Sequence, residues 1–573
     1  MQALIILATF LVALTSAREW WENGNFYQIY PRSFMDSNGD GIGDLRGITT
    51  KLRYLKKIGM DGAWISPIFQ SPMEDFGYDC SDYYAIQPEF GTIDDFQALL
   101  DKANELGIKI ILDFVPNHTS NKHNWFKMSE QRIDPYTDFY IWENGTYDEA
   151  SGKHLPPNNW ICSFRYSAWE WSDKRQQFYL HQFGVFQPDL NYRNPAVHQA
   201  MADVVRFWLN KGVGGFRIDA VPFMYEVSRD PTTGKIPDEP VAEGNACPDP
   251  DDWCHLKHIH TQDRNETFEL VYDWRDIVDK FSKDKGDYQR ILMTEAYTSL
   301  DNIIRYYGNG VRNGSHVPFN FEMFSNSNNK STAQDFSNFI DSWLERMPKD
   351  VYANWVLGNH DNNRISARYG TAKIDMLNIL VQTLPGHAVT YYGDEIGMKN
   401  VYVSYEETVD PQGINAGPDR YRQLSRDPER SPMQWDWTHQ SGFSTANKTW
   451  LPVYENYKNE NVFSQLLAKK SHLKVFMTLT EIRKNASFQK GSFEKSVADN
   501  VLVYKREQDE AYVVILNFND EPKTVNIKEI FPAISNQVKV VTSSVQSEQR
   551  EGNVINSDAV FVEGNVGIVV VGV

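Results

Sequence analysis

The chain reads as an α/β protein: a closed (β/α)8 TIM barrel with an inserted domain after the third strand and a C-terminal antiparallel β-domain. Three observations lead there. Short β-branched and aromatic runs alternate with amphipathic helical patterns over most of the 573 residues, the signature of βα units building a parallel sheet. An irregular stretch at residues 117–188, rich in Trp, Tyr, Asn, Pro and Gly, is too long for an ordinary connection. From about residue 475 helical patterns give way to short alternating runs, VLVYKRE, AYVVILNF, KTVNIKE and NVGIVVVGV.

Taken in order, residues 1–17 (MQALIILATFLVALTSA) are apolar, uncharged and end in small residues, with Thr15 and Ala17 placed for cleavage. They read as a secretory signal. The run is short for a membrane span, and no later segment is a spanning candidate. The barrel is expected over 18–116 and 189–474. Its strands are read at Phe26–Phe34, Gly62–Ile68, Lys109–Val115, Gly215–Val221, Ile291–Tyr297, Val317–Phe324, Asn354–Asp361 and His387–Tyr392. Helices lie between them. In TIDDFQALLDKANELG, Thr92 and Asp95 make a capping box, Phe96, Leu99, Leu100, Ala103 and Leu106 share a face, and Gly107 stops the helix. In NPAVHQAMADVVRFWLNKG, Asn194 caps, Pro195 opens the first turn and Gly212 follows the end. The inserted domain takes 117–188 and the β-domain 475–573. The polar, acidic segment from about 230 to 263 reads as a long surface loop after the fourth strand.

With 57 Lys+Arg against 76 Asp+Glu the net charge is −19, and no basic run breaks it. That excludes a nucleic-acid binder, whose affinity rests on cations displacing counterions from phosphates. Secretion implies an oxidising compartment for the four cysteines. Cys247 and Cys254 bracket the turn-rich CPDPDDWC and are read as a local disulfide, whereas Cys80 and Cys162 are left open between pairing and burial as thiols. Glycosylation sequons stand at Asn144, Asn265, Asn313, Asn329, Asn447 and Asn485. Asn117 also matches but sits among candidate site residues.

Charged and polar residues end several strands: Asp113 and His118 in ILDFVPNH, Arg217 and Asp219 in GFRIDA, Glu295 in ILMTEA, His360 and Asp361 in NWVLGNHD. One such carboxylate is ordinarily a cap or loop anchor. Four gathered at one barrel mouth, with two His and an Arg, point to chemistry. Glycoside hydrolysis needs two carboxylates, one to attack the anomeric carbon and one to protonate the leaving oxygen. Alternation puts Arg217 and Asp219 on the same side of their strand, so the guanidinium can keep Asp219 ionised. Glu295, among apolar neighbours, suits a raised pKa and acid work.

DFVPNH, GFRIDA, TEAY and GNHD, in this order, resemble the four signature regions of the α-amylase superfamily of retaining glycoside hydrolases. QPDLN at Gln187–Asn191 is similar to the extra region of its oligo-1,6-glucosidase and maltase branch. The likeness covers nearly the whole chain after the signal and is closest to secreted insect α-glucosidases. It implies Asp219 as nucleophile, Glu295 as acid/base and Asp361 as a third carboxylate holding sugar hydroxyls. His118 and His360 would bind the same glucose and Arg217 would orient Asp219. The GYD triplet implies Tyr78 stacking on the terminal glucose and Asp79 binding its O4. The Asp79 partner is expected in SRDPERSPMQW, at Arg430 first and Arg426 second. Such a pair closes the pocket, so the resemblance implies an exo-acting α-glucosidase. In this branch a small residue after the nucleophile, here Ala220, accompanies α-1,4 cleavage, which favours maltose, malto-oligosaccharides and, as a further candidate, sucrose.

DSNGDGIGD spaces Asp36, Asn38, Asp40 and Asp44 as hard oxygen ligands, with Ile42 offering a carbonyl. It resembles the family's structural Ca²⁺ site; no organic cofactor is expected. The competing readings are an isomaltase or transglucosylase on the same site, and a catalytically silent relative acting as a receptor or transporter-associated glycoprotein.

Overall fold

The computed structural model describes residues 19–573 except 246 and 248, so the expected signal at 1–17 lies outside the described residues. Eight parallel strands form the barrel: β1 (Asn25–Ile29), β2 (Gly62–Ile65), β3 (Lys109–Phe114), β4 (Gly215–Ile218), β5 (Ile291–Thr294), β6 (Val317–Pro318), β7 (Asn354–Val356) and β8 (His387–Tyr391). They follow one another around a ring, paired in the order β6, β5, β4, β3, β2, β1, β8, β7. Between β6 and β7 a side chain bridges the two strands. The Asn354 amide donates to the Pro318 carbonyl at 2.6 Å and accepts from the Asn320 N–H at 2.8 Å.

Every expected strand is present, but each ends earlier than its apolar run. In β4 the ladder stops at Ile218 because Ala220 is left-handed, with φ +50°, and turns the chain across the mouth. After β6, Glu322–Ser325 is a helical turn rather than strand. The helices at Ile93–Leu106 and Pro195–Lys211 carry the expected caps, including the reciprocal Thr92/Asp95 box and left-handed Gly107 and Gly212.

The insertion folds as a three-stranded antiparallel sheet of Trp142–Glu143, Gln177–Leu180 and Trp169–Ser172, with a hairpin at Thr146–Asp148 and Lys153–Leu155. Trp160, Phe164, Trp169, Phe178 and Leu180 give it a small core of its own. The C-terminal β-domain starts at Ser492, later than the expected 475. The intervening His472–Ile482 is a helix whose Leu473, Val475, Phe476 and Leu479 are buried. Eight antiparallel strands from Ser492 to Gly572 follow, six in one sheet and two, Lys523–Val525 and Val560–Val562, in a second. Of KTVNIKE only Lys523–Val525 is strand, since Asn526 caps a helical turn.

Cys247 and Cys254 are bonded, with Cα atoms 5.6 Å apart, while Cys80 and Cys162 are buried thiols. Asn144, Asn265, Asn313, Asn329 and Asn447 are exposed. Asn485 is half-buried, and its amide caps a helix and donates to Glu510 at 2.8 Å. Among the described residues no helix is long and apolar enough to cross a membrane.

Candidate active site

The C-terminal ends of β3, β4, β5 and β7 deliver their polar residues to one cavity of about 350 Å³. Its walls include Tyr78, His118, Asp219, Ala220, Glu295, His360 and Asp361, together with Asp75, Gln187 and Arg426. Arg217, fully buried, organises the centre. Its Nη1 contacts Asp219 at 2.5 Å and Asp113 at 3.0 Å, and its Nη2 lies 3.1 Å from Glu295. Asp219 and Glu295 therefore sit on neighbouring nitrogens of one guanidinium. The left-handed turn at Ala220 aims its N–H at Glu295 Oε2, 2.9 Å away, which fixes the second carboxylate from the strand carrying the first. Asp113 accepts from Trp64 at 3.0 Å and Tyr78 at 3.1 Å, and Tyr78 stacks on His360 with centroids 5.0 Å apart.

These carboxyls are driven apart in acidity. Burial pushes Glu295 up to about 8 against the pull of Arg217, with Asp219 and Asp361 adding to the push. Burial raises Asp219 to about 7; Arg217 pulls it back, and Asp113 and Asp361 oppose that pull. The guanidinium thus restrains the Asp219 pKa but does not return it to the ordinary range. Burial also acts on Asp361, yet neighbouring His360, Arg426 and Arg430 outweigh it and hold that carboxyl low. His360 is itself kept neutral by burial, so the two arginines carry the lasting charge. His118 is lowered to about 4 by burial and meets Gln187 and the Tyr78 carbonyl at 3.2 and 3.0 Å.

The closed end of the cavity corrects the sequence reading. Asp79 is fully buried and turned away from the cavity, accepting from Ser71 Oγ at 2.8 Å and the N–H groups of Asp75 and Glu74 at 3.0 and 3.1 Å. It pins the turn. Phe76 at φ +50° and Gly77 at φ +109° reverse the chain so that Asp75, missed in the sequence, faces inward. Its partner is Arg426, at 2.9 Å, whose other contacts are Asp361 at 3.2 Å and buried Asp410 at 2.5 Å. Arg430 does not line the cavity; it holds Asp361 at 2.9 Å and the His360 carbonyl at 2.7 Å. An acidic residue three before Tyr78 was the available signal, obscured by the more conspicuous GYD.

The α-amylase catalytic-domain family matches residues 28–491, which contain this constellation. The chain belongs to the α-amylase family. Maltase A1 of Drosophila melanogaster is 52% identical over 575 aligned residues, covering 100% of this chain and 99% of that one. Salivary alpha-glucosidase of Anopheles gambiae is 50% identical, covering 96% of this chain and 93% of its own length. Among solved structures, the alpha-glucosyl transfer enzyme XgtA superposes with a TM-score of 0.84 at 31% identity, covering 97% of this chain and all of that one.

Within this α-amylase-family chain, the Asp36–Asp44 loop lies apart from the cavity. Asp36 accepts from the N–H groups of Asn38, Gly39 and Gly41 at 3.0, 2.7 and 2.8 Å, and Asp44 accepts from Ser37 and Gly47, capping a helix. The Asn38 amide meets Asp40, and Asp40 in turn accepts from the Ile42 N–H. The donors are all hard oxygens, which suits calcium by kind. No cluster of three or more His, Cys, Asp or Glu side chains able to hold a metal occurs among the described residues.

Proposed function

We infer that the protein is a secreted, retaining, exo-acting α-glucosidase that releases terminal α-1,4-linked glucose from maltose and malto-oligosaccharides, with sucrose a further candidate. The observation that carries this reading is the pair Asp219 and Glu295 on one guanidinium, beside an end closed by Asp75 and Arg426. Sharing a guanidinium favours the short carboxyl separation, about 5 to 5.5 Å, of double-displacement enzymes rather than the wider gap that admits water. Glucose would enter non-reducing end first, its ring on Tyr78 and its far hydroxyls on Asp75 and Arg426. Asp361, His118 and His360 would hold the remaining hydroxyls. Asp219 Oδ attacks C1 while Glu295 gives its proton to the glycosidic oxygen, so the bond to the leaving sugar breaks as the ester forms. Glu295, now ionised, takes a proton from water as that water displaces Asp219. Calcium at Asp36, Asn38, Asp40, Asp44 and the Ile42 carbonyl would brace the loop and take no part in bond breaking.

Initial rates on maltose, isomaltose and sucrose, with Asp219→Asn as control, test the assignment. Maltose should be fastest and should release α-glucose first by NMR; early β-anomer would refute retention. Isomaltose preference would reverse only the linkage reading of Ala220, and glucosyl transfer products would favour the transglucosylase alternative. Failure to turn over any sugar would favour the silent relative. Asp75→Asn should raise KM for maltose about tenfold or more through loss of a charged hydrogen bond.

A further inference from the structure

The long loop between β4 and β5 returns to the mouth. Trp253, half-buried and next to disulfide-bonded Cys254, lines the cavity together with Gln262 of the same loop. Its indole stacks on His258, centroids 4.1 Å apart and 6° from parallel, and its carbonyl meets His258 Nε2 at 2.6 Å. The loop is held from two sides. Asp249 and Asp252 each meet both Arg165, from the insertion, at 2.7 and 2.9 Å, and Arg420, from beyond β8, at 2.8 and 2.7 Å. Arg165 and the adjacent Tyr166 are both left-handed, at φ +76° and +69°. Side chains adopt that conformation only where surroundings compensate, and the four-membered charge clamp does so. Three chain segments remote in sequence are thereby tied together at the loop that carries Trp253.

The closed end at Asp75 and Arg426 takes the non-reducing ring, and the departing sugar must occupy the rest of the same cavity, which Trp253 helps to line. An aromatic ring presented there offers a flat apolar surface to the C–H groups of a pyranose. We propose that Trp253 is the platform for the leaving-group sugar, and that the disulfide and the Arg165/Arg420 clamp are positioning devices setting its place. This makes Trp253 a specificity-determining residue for the reducing-side ring, and it rests on the α-glucosidase reading above.

The test compares maltose with α-glucosyl fluoride, whose leaving group has no ring to stack. Trp253→Ala should lower kcat/KM for maltose about tenfold, mostly through KM, and leave glucosyl fluoride within about twofold. Trp253→Phe, which keeps a flat ring, should recover most of the loss. Arg420→Gln and the double change Cys247→Ser/Cys254→Ser should give the same split more weakly. Equal losses on both substrates, or unchanged maltose kinetics, would overturn the proposal. If the unaltered protein cleaves neither substrate, the α-glucosidase reading itself fails, a result distinct from failure of the platform.

Discussion

At the barrel mouth Arg217, Arg426 and Arg430 are buried among Asp75, Asp113, Asp219, Glu295, Asp361 and Asp410; in the C-terminal sheet Val501, Val503, Val513, Ile515, Val538, Val540 and Ile568 are buried among one another. The first region takes charges out of water and repays the loss only in part by pairing. The second gains about 25 cal/mol for each Å² of apolar surface it hides, with no such penalty. The contrast implies a division of labour. Changes at the mouth should remove turnover while sparing the fold, and changes in the sheet should do the reverse.

The largest effect expected is at Asp219. Replacing it with Asn should cut kcat by about 10⁴-fold or more, because the covalent step loses its nucleophile. Melting temperature should hold or rise, since a buried carboxylate is exchanged for a neutral amide while Arg217 keeps Asp113 and Glu295. Collapse of the fold together with activity would break the comparison. In the sheet, Ile515→Ala should destabilise by about 2 to 5 kcal/mol in denaturant titrations, because Ile515 is fully buried between Val503 and Ile568. Turnover per folded molecule should stay unchanged.

The pH response sharpens the same contrast. Glu295 must be protonated to act as acid, and burial raises it from 4.5 to about 8. The kcat/KM should therefore fall above about pH 8, tending toward about tenfold per unit. Stability carries the matching sign. A carboxyl whose pKa is raised on folding stabilises the fold fully below its unfolded pKa of 4.5, and that contribution is lost as pH rises through about 8. Glu295→Gln should flatten the fall in melting temperature between about pH 4.5 and 8; no difference from the unaltered protein would show that Glu295 titrates as an ordinary surface acid.

The sequence carried the barrel because each βα unit writes its own local signal: an apolar run, a cap such as Thr92 or Asn194, and a stop at Gly107 or Gly212. It also placed Arg217 and Asp219 together, since alternation along a strand fixes which side chains share a side. What it did not carry depends on turns. Asp75 and Asp79 lie four residues apart in one loop, and only the backbone reversal at Phe76 and Gly77 decides which faces the cavity. Arg426 and Arg430 raise the same ambiguity, settled by buried Asp410, which accepts from Arg426 through both backbone and side chain. The role of Trp253 was hidden for a related reason: the clamp that presents it joins Arg165 and Arg420, residues no local pattern links.

The smallest effect expected concerns the Asp36–Asp44 loop, a third kind of region in which carboxylates are neither stacked in a catalytic cluster nor replaced by aliphatic packing. Asp36 and Asp44 are satisfied by N–H groups of their own loop, and Asp36 also accepts from Ser444. A loop that already holds itself gains from an ion only the binding free energy. At calcium near its Kd that is about 1 kcal/mol or less, hence a melting shift of about 2 °C or less for a chain of this size. Calcium chelation followed by readdition should produce that shift with kcat for maltose unchanged. A reversible loss of turnover without a melting shift would move the ion from brace to participant, and would make the loop an extension of the mouth rather than a separate region.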